Sequence, residues 1–291
     1  MRPELTKATE LLHSGDTGAV ERAIELLQGT VFSFSMKVCG HREDAEDTMQ
    51  DVLLKALPYL SKIESPQALA VWLYKVARNR CWMSRRRSKF APTETLALDD
   101  LLPDASELES LTSEADKSPE ANVLSAESAE QVQEAVLRIP PQYRLILVLH
   151  DMEELDTSEV AQVTGLKEGT VRVRLHRARL FLRKELSQKR RQVVKSRTYG
   201  RRAAKPVQCR EMFAQLSEYL DGRASDVTCE HIQKHLAECP ACMVFLADLE
   251  RAVQRCREYD EACKPETAER VRKLLVAEYM KIIDAMGRSR Q

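Results

Sequence analysis

The chain has 291 residues, which is enough for two or three small domains, each with its own core. Few aromatic residues and few glycines, beside many Leu, Ala, Glu, Arg and Lys, favour an all-helical protein. The net charge is zero, but acids dominate residues 93–130 and bases dominate residues 172–205. This segregation argues against a neutral enzyme and suggests a polyanion-binding segment beside an acidic linker.

The sequence offers no sign of membrane insertion or export. No apolar run is long enough to span a bilayer, and the charged N-terminus lacks the apolar core of a signal peptide. We therefore expect a soluble, cytoplasmic protein without a membrane partner.

The first predicted helices cover residues 4–13, 20–38, 42–58 and 66–87. Ala45, Met49 and Val52 belong to the apolar stripe of the third helix, and Pro58 is expected to end or kink it. The fourth helix ends in a cationic segment that includes Trp82. Basic and aromatic side chains together suit phosphates and unpaired bases, whereas the alternative is a solvated helix end.

A second predicted unit, residues 126–187, follows an acidic linker at residues 91–125 that is rich in Ser, Thr and Pro. Its helices are predicted at residues 126–138, 141–151, 157–164 and 169–186. Gly165 suits the turn between the last two helices, and arginines lie off the apolar stripe of the final helix. This pattern is typical of a DNA-binding helix-turn-helix, and the alternative is an amphipathic hairpin with a solvated basic face.

Six of the eight cysteines lie in the last third of the chain, after a basic linker at residues 188–206. His235 and Cys239 are spaced i, i+4 for one helix face, and Cys242 completes a Cys-x-x-Cys turn. In a cytosolic chain this pattern favours metal or redox chemistry over structural disulfides. A fourth ligand would complete a tetrahedral zinc site, with Cys209, Cys229 and His231 as candidates; a bare thiol pair is the alternative. An amphipathic helix at residues 265–286 ends this unit.

Two stretches resemble regions 2 and 4 of bacterial RNA polymerase sigma factors of the extracytoplasmic-function (ECF) group. The region 2 resemblance rests on AEDTMQDV at 45–52 and WLYKVARNR at 72–80. The region 4 resemblance rests on LRIP at 137–140, LHDME at 149–153 and GTVRVRLHRAR at 169–179. Residues 209–222 and HLAECPAC at 235–242 resemble the zinc-binding anti-sigma domain. The implied domains are region 2 (1–90), region 4 (126–187) and an anti-sigma-like domain (207–291).

The resemblance implies a sigma factor that is not an enzyme by itself. It would bind the β′ and β subunits of core RNA polymerase and direct promoter-specific initiation. Asp47, Gln50 and Asp51, on the polar face of the third helix, are the predicted contacts to the β′ clamp helices.

The same resemblance predicts two DNA-binding sets. Contacts to the −10 element would come from the fourth helix and the residues after it: Arg78, Asn79, Trp82, Arg85 and Arg86. Contacts to the −35 element would come from the helix that begins at residue 169: Thr170, Arg172, Val173, His176 and Arg177. Arg174 and Arg179 are expected on phosphates.

For the C-terminal unit, the family pattern favours Cys209 as the fourth zinc ligand. We expect this unit to contact and modulate the sigma domains of its own chain. A helix-turn-helix regulator that acts without polymerase remains the alternative function. A zinc deaminase is disfavoured, because neither His231 nor His235 is followed by x-Glu and Pro240 falls inside the Cys pair.

Overall fold

The architecture is taken from a computed structural model, which describes residues 2–14, 17–60, 62, 63, 65–83, 101, 125–193 and 207–288. Every regular element in these ranges is helical, which confirms the predicted all-α class. The helices are α1 (Pro3–His13), α2 (Thr17–Cys39), α3 (Arg42–Leu60), α4 (Pro66–Met83), α5 (Ser125–Arg138), α6 (Pro141–Leu147), a π-helical turn (Val148–Met152), α7 (Thr157–Thr164), α8 (Glu168–Val193), α9 (Val207–Leu220), α10 (Asp226–Glu238), α11 (Pro240–Glu258) and α12 (Pro265–Arg288). No described helix is both long enough and apolar enough to cross a lipid bilayer.

Backbone proximity divides the chain into two compact units. The first unit comprises Met1–Lys89, Val148–Glu168 and Asp260–Gln291, and the second comprises Phe90–Leu147 and Gly169–Tyr259. The division therefore crosses the predicted domain boundaries, because residues 148–168 and the C-terminal segment both belong with the N-terminal helices.

The first unit is a helical bundle in which α2 packs against α1, α3 and α4. Buried aromatic and aliphatic side chains from α2, α3 and α4, such as Phe32, Met49 and Leu73, fill its core. A disulfide joins Cys39 at the end of α2 to Cys81 near the end of α4. The sequence did not predict this bond, because Cys81 fits the apolar stripe of α4 equally well.

The terminal helix α12 packs on α2 and α3 in the first unit. The sequence predicts an apolar face formed by Val271, Leu274, Leu275, Tyr279, Ile282 and Ile283. Val271, Leu275 and Tyr279 are buried as expected, whereas Leu274 and Ile283 are exposed. Arg272 adds ion pairs of 3.3 Å to Glu21 and to Glu25 on α2. The sequence placed this helix with the cysteine unit, because periodicity identifies a buried face without identifying its partner.

Several helix ends differ from the expected boundaries: α2 begins at Thr17, three residues early, and α8 continues to Val193, seven residues beyond the predicted end. Two further differences have a local cause. Helix α3 continues two residues beyond Pro58, whose ring lies in the last turn and removes only one hydrogen bond. The predicted helix at residues 141–151 widens into a π turn from Val148, where the Glu153 amide donates to the Val148 carbonyl over 2.9 Å.

The second unit contains α5, α6 and α8–α11. Tyr143 on α6 stacks on Phe181 of α8 with ring centroids 5.7 Å apart. In the cysteine-rich part, α10 packs on both α9 and α11, and Phe213 of α9 meets Phe245 of α11 at 4.8 Å. Helices α9–α11, which carry the predicted zinc ligands and are called the zinc-finger helices below, thus form one small bundle.

Candidate nucleic-acid interface and metal centre

Helix α3 presents a polar face opposite its buried stripe. Asp47 is exposed, and Gln50 and Asp51 are half-buried on the same outer side. The Asp51 carboxylate lies 2.9 Å from the Arg80 guanidinium of α4, and both side chains are substantially exposed. The three predicted docking residues are therefore on the surface of the described part of the first unit.

Helix α4 carries the described part of the predicted −10 set. Asn79 is exposed, whereas Arg78 is half-buried, donating to the Val163 carbonyl of α7 over 2.8 Å and to the Asn79 side chain. Trp82 lies in the last turn of α4, but its side chain falls outside the described residues, as do Arg85 and Arg86.

Helix α7 and the turn after it have the local geometry of a helix-turn-helix. Asp156 caps α7 by accepting from the amides of Ser158 and Glu159, and the Glu159 side chain accepts from the Asp156 amide. This capping box defines the start of the helix. Gly165 ends it in the left-handed region with φ of 73°, as its position in the sequence predicted.

The first turns of α8 are open to solvent. Thr170 and Arg172 are exposed, and the apolar Val173 side chain is 57% exposed beside them. Arg177 is half-buried and donates to the Tyr143 hydroxyl over 3.1 Å. The start of α8 therefore offers a cationic and apolar surface of the kind that contacts base edges.

The middle of α8 is covered by the zinc-finger helices. Arg179 is fully buried and pairs with Asp221, just after α9, over 2.7 Å. Arg183 is equally buried, pairs with Asp248 of α11 over 3.1 Å and lies 4.0 Å from the Phe245 ring centroid. The predicted phosphate contact Arg179 thus serves a protein carboxylate in this conformation.

His176 belongs to the same covered face. Its Nδ1 lies 3.2 Å from the Ser217 hydroxyl of α9, and the imidazole is buried. Burial, and then the charges of Arg179 and Arg177, lower the pKa of His176 from its ordinary 6.5 to about 4. The side chain is therefore neutral at physiological pH and is turned toward protein rather than solvent.

Four predicted metal ligands lie together where α9 and α11 begin and α10 ends. The ligand atoms of Cys209, His235, Cys239 and Cys242 all lie within 4.8 Å of one another. Cys209 comes from the first turn of α9, and Cys239 and Cys242 flank the start of α11. The competing candidate Cys229 instead has its thiol directed at the Ala224 carbonyl, 3.7 Å away.

The donor set fits zinc. His235 Nε2 lies 3.7 Å from Cys209 Sγ and 3.2 Å from Cys242 Sγ. A tetrahedral zinc ion would separate such sulfur and nitrogen ligands by about 3.6 Å. Burial raises the pKa of the Cys209 and Cys242 thiols, and a cation between the sulfurs would oppose that effect by favouring the thiolates.

Three family models match parts of the chain. Sigma-70 region 2 matches residues 23–90, sigma-70 region 4 matches residues 129–182, and a zinc-finger model matches residues 209–243. The ECF RNA polymerase sigma factor SigW of Bacillus subtilis is 25% identical over 194 residues, covering 64% of this chain and 98% of SigW. The RNA polymerase sigma factor YlaC of the same species is 28% identical, covering 55% of this chain and 87% of YlaC. The ECF sigma factor SigM of Mycobacterium tuberculosis is 31% identical, covering 48% of this chain and 63% of SigM.

A helix with a polar outer face, a helix-turn-helix sequence and a cysteine–histidine cluster are the features expected of the sigma-70-type regions and the zinc finger that the family models match. Both sigma regions occur in the expected order, and SigW and SigM are named ECF factors. The chain is thus similar to ECF sigma factors in regions 2 and 4, and its C-terminal part matches a zinc-finger model.

Sequence reasoning missed several side chains of these surfaces. Tyr59, 53% exposed, pairs its ring with that of Trp72 at 6.1 Å beside the α3–α4 turn. Arg183 belongs to the basic series of residues 172–205, yet it is buried beside Asp248. The spacing of residues 176, 179 and 183 does mark a second helix face, but only the partner helices show that the face is covered.

Proposed function

We propose that this protein is a promoter-specificity subunit of bacterial RNA polymerase that acts in the cytoplasm. The observation that carries the proposal is the pairing, in one chain, of the surface helix α3 with the helix-turn-helix α7–α8, each inside a matching sigma-70 region. A sigma factor supplies promoter recognition, and the catalytic chemistry belongs to the core enzyme.

Polymerase binding is assigned to the outer face of α3. Asp47, Gln50 and Asp51 offer acidic and amide side chains there, while the apolar side of the helix is occupied by the bundle core. We assign these three residues to the β′ clamp helices, with further contacts to the β subunit. Exposed charges of this kind contribute mainly to partner choice and to the association rate.

Promoter binding is assigned to α4 and α8. Asn79 on α4, with the predicted residues 82, 85 and 86, would recognise the −10 element. Thr170, Arg172 and Val173 are exposed at the start of α8, where a helix in the major groove reaches base edges. His176 would join them once the zinc-finger helices move away from α8, and Arg177 once it releases the Tyr143 hydroxyl of α6.

The zinc-finger domain is proposed to inhibit its own chain. Asp221 pairs with Arg179 of α8, and Asp248 pairs with Arg183. Both aspartates carry the negative charge that DNA phosphates would otherwise bring to these arginines. Zinc held by Cys209, His235, Cys239 and Cys242 would fasten α9 to α11, and these are the two helices next to the paired aspartates. Metal binding and coverage of α8 are therefore coupled through the same small bundle.

The test is transcription in vitro with core RNA polymerase and chromosomal DNA, both from the bacterium that makes this protein. The protein is added to the core enzyme, the sheared DNA serves as template, and the 5′ ends of the transcripts are sequenced. The full chain with Asp248→Asn should direct initiation at sites that share −10 and −35 elements. Point variants are preferable to truncation, because removal of residues 207–291 would also remove α12 from the first unit.

Two matched variants separate polymerase docking from DNA binding. Asp47→Ala should reduce initiation at least tenfold without weakening DNA binding, whereas Glu10→Ala, an exposed acid on α1, should change neither. Absence of chain-dependent transcripts from both the wild type and Asp248→Asn would refute the proposal. DNA binding without transcription would favour a regulator that does not use polymerase.

A further inference from the structure

The first unit contains an ionic cluster, partly buried, that includes none of the residues assigned above. Glu153, fully buried, is 3.1 Å from the Lys37 ammonium and 2.9 Å from the Arg2 guanidinium. Its second oxygen accepts a hydrogen bond of 2.7 Å from the Tyr74 hydroxyl. Lys37 is fully buried as well, so neither charge has water as an alternative partner.

Asp260 completes the cluster from a distant part of the chain. It lies 3.0 Å from Arg2 and 3.3 Å from Lys37, and it accepts a hydrogen bond from the Ser33 hydroxyl. Unlike Glu153, its side chain is 62% exposed. One pair of cations thus binds two carboxylates, one enclosed and one accessible.

The two carboxylates come from segments that connect the first unit to other functional parts of the chain. Glu153 follows the π turn and precedes α7, the first helix of the helix-turn-helix. Asp260 follows α11, the last zinc-finger helix, and precedes α12. Arg2 and Lys37 therefore bind the segment that leads into the −35 module and the segment that leaves the zinc finger.

Helix α7 also rests directly on α4, the proposed −10 helix. Beside the helix contacts, Arg78 of α4 donates to the Val163 carbonyl in the last turn of α7. The nominal promoter positions −10 and −35 differ by 25 base pairs, or about 85 Å of duplex at 3.4 Å per pair. Because α8 starts within four residues of the end of α7, α7 must leave α4 when both elements are bound.

We propose that Arg2, Lys37, Glu153 and Asp260 form a latch that holds α7, the first helix of the −35-binding pair α7–α8, against α4, the −10 helix. Release of the latch would let α7 and α8 move away from α4. The roughly 40 residues between α4 and α5 span up to about 130 Å when extended, so the chain permits that separation. Movement of the zinc finger acts on the latch through Asp260, which lies two residues beyond the end of α11. The role of the latch in promoter binding rests on the proposed function, whereas the existence of the latch can be tested on the protein alone.

The test is hydrogen–deuterium exchange of the full chain, analysed by peptide mass spectrometry. Glu153→Gln keeps the shape of the side chain and removes its charge, which leaves Lys37 with only the exposed Asp260. Arg2→Ala removes the other shared cation at the edge of the bundle, where loss of the fold is less of a risk. Both variants should raise exchange in α7 and in the first turn of α12 at least tenfold, with exchange in α3 changed less than twofold.

The control is Glu10→Gln, an exposed acid on α1 that lies outside the cluster and should leave every peptide unchanged. Unaltered exchange in α7 for both latch variants would overturn the proposal. An equal rise in α7, α2 and α3 would also overturn it, because the cluster would then only stabilise the bundle. Exchange is measured without polymerase or promoter, so a failed transcription assay would not affect this result.

Discussion

The Asp248→Asn variant measures how much the ion pair between Asp248 and Arg183 stabilises the packing of the zinc finger on α8. Asp248 is buried and accepts a hydrogen bond from the Ser187 hydroxyl in addition to its ion pair with Arg183. The asparagine keeps nearly the same volume and removes the negative charge. Arg183, 1% exposed, then loses its ion pair with Asp248, while its contact with Phe245 persists.

The expected cost follows from the burial of both partners. Breaking a buried ion pair by removing one charge destabilises a structure by roughly 3–5 kcal/mol. The remaining amide and the Phe245 ring favour the lower end, about 3 kcal/mol. Because about 1.4 kcal/mol corresponds to a tenfold change in an equilibrium constant, the uncovered fraction of α8 should increase by roughly two orders of magnitude.

Carbethoxylation of histidine by diethyl pyrocarbonate measures that fraction directly. His176 is covered by α9, which moves with α11 because Phe213 and Phe245 are in contact. The reaction rate of His176 at pH 7, mapped by mass spectrometry, should rise about 100-fold in Asp248→Asn. His13 is exposed on α1 and provides an internal reference within the same chain.

The matched control uses a second cationic neighbour of the same carboxylate. Arg251 lies 3.6 Å from Asp248, but its side chain is 60% exposed. Solvent-exposed pairs contribute about 0–1 kcal/mol, so Arg251→Ala should change the His176 rate by a small factor only. Equal rates for His176 in the wild type and in Asp248→Asn would refute the argument that this buried pair holds the zinc finger on α8.

Three further predictions concern the metal, the pH and the turn. Cys209→Ser should lose zinc and Cys229→Ser should retain one ion per chain, as measured by metal analysis after dialysis; zinc in Cys209→Ser would contradict the ligand set. Because His176 has a pKa of about 4 in the covered state and about 6.5 when free, its contribution to stability is complete above about pH 6.5 and is lost toward pH 4. Denaturant titrations should show this loss, up to about 3 kcal/mol, in the wild type but not in His176→Gln, and parallel curves would exclude it. Gly165→Ala should cost roughly 1–2 kcal/mol because of the left-handed backbone, whereas Gly169→Ala inside α8 should be neutral or stabilising by up to about 1 kcal/mol; thermal unfolding distinguishes the two signs.

The local structure of the helix-turn-helix could be predicted because its determinants are close in sequence. Asp156 and Glu159 are spaced for a capping box, and Gly165 is the residue that tolerates positive φ at a helix end. The proximity of His235, Cys239 and Cys242 could be predicted as well, because these residues are only three and four positions apart in the sequence. Within this range, hydrogen bonds and side-chain spacing are set by neighbours along the chain.

The sequence by itself determined the all-helical class, the resemblance to both sigma regions, the exposed residues at the start of α8 and three members of the metal cluster, His235, Cys239 and Cys242. The fourth member was left open among Cys209, Cys229 and His231, and the structure brings Cys209 to the other three. Only the tertiary structure decided which faces are covered. It buries Arg179 and Arg183 against aspartates some 40 to 65 residues away, and it places α12 on α2 and α3. A buried arginine and a solvated one have the same helical periodicity, because their difference depends on carboxylates that approach from other parts of the chain.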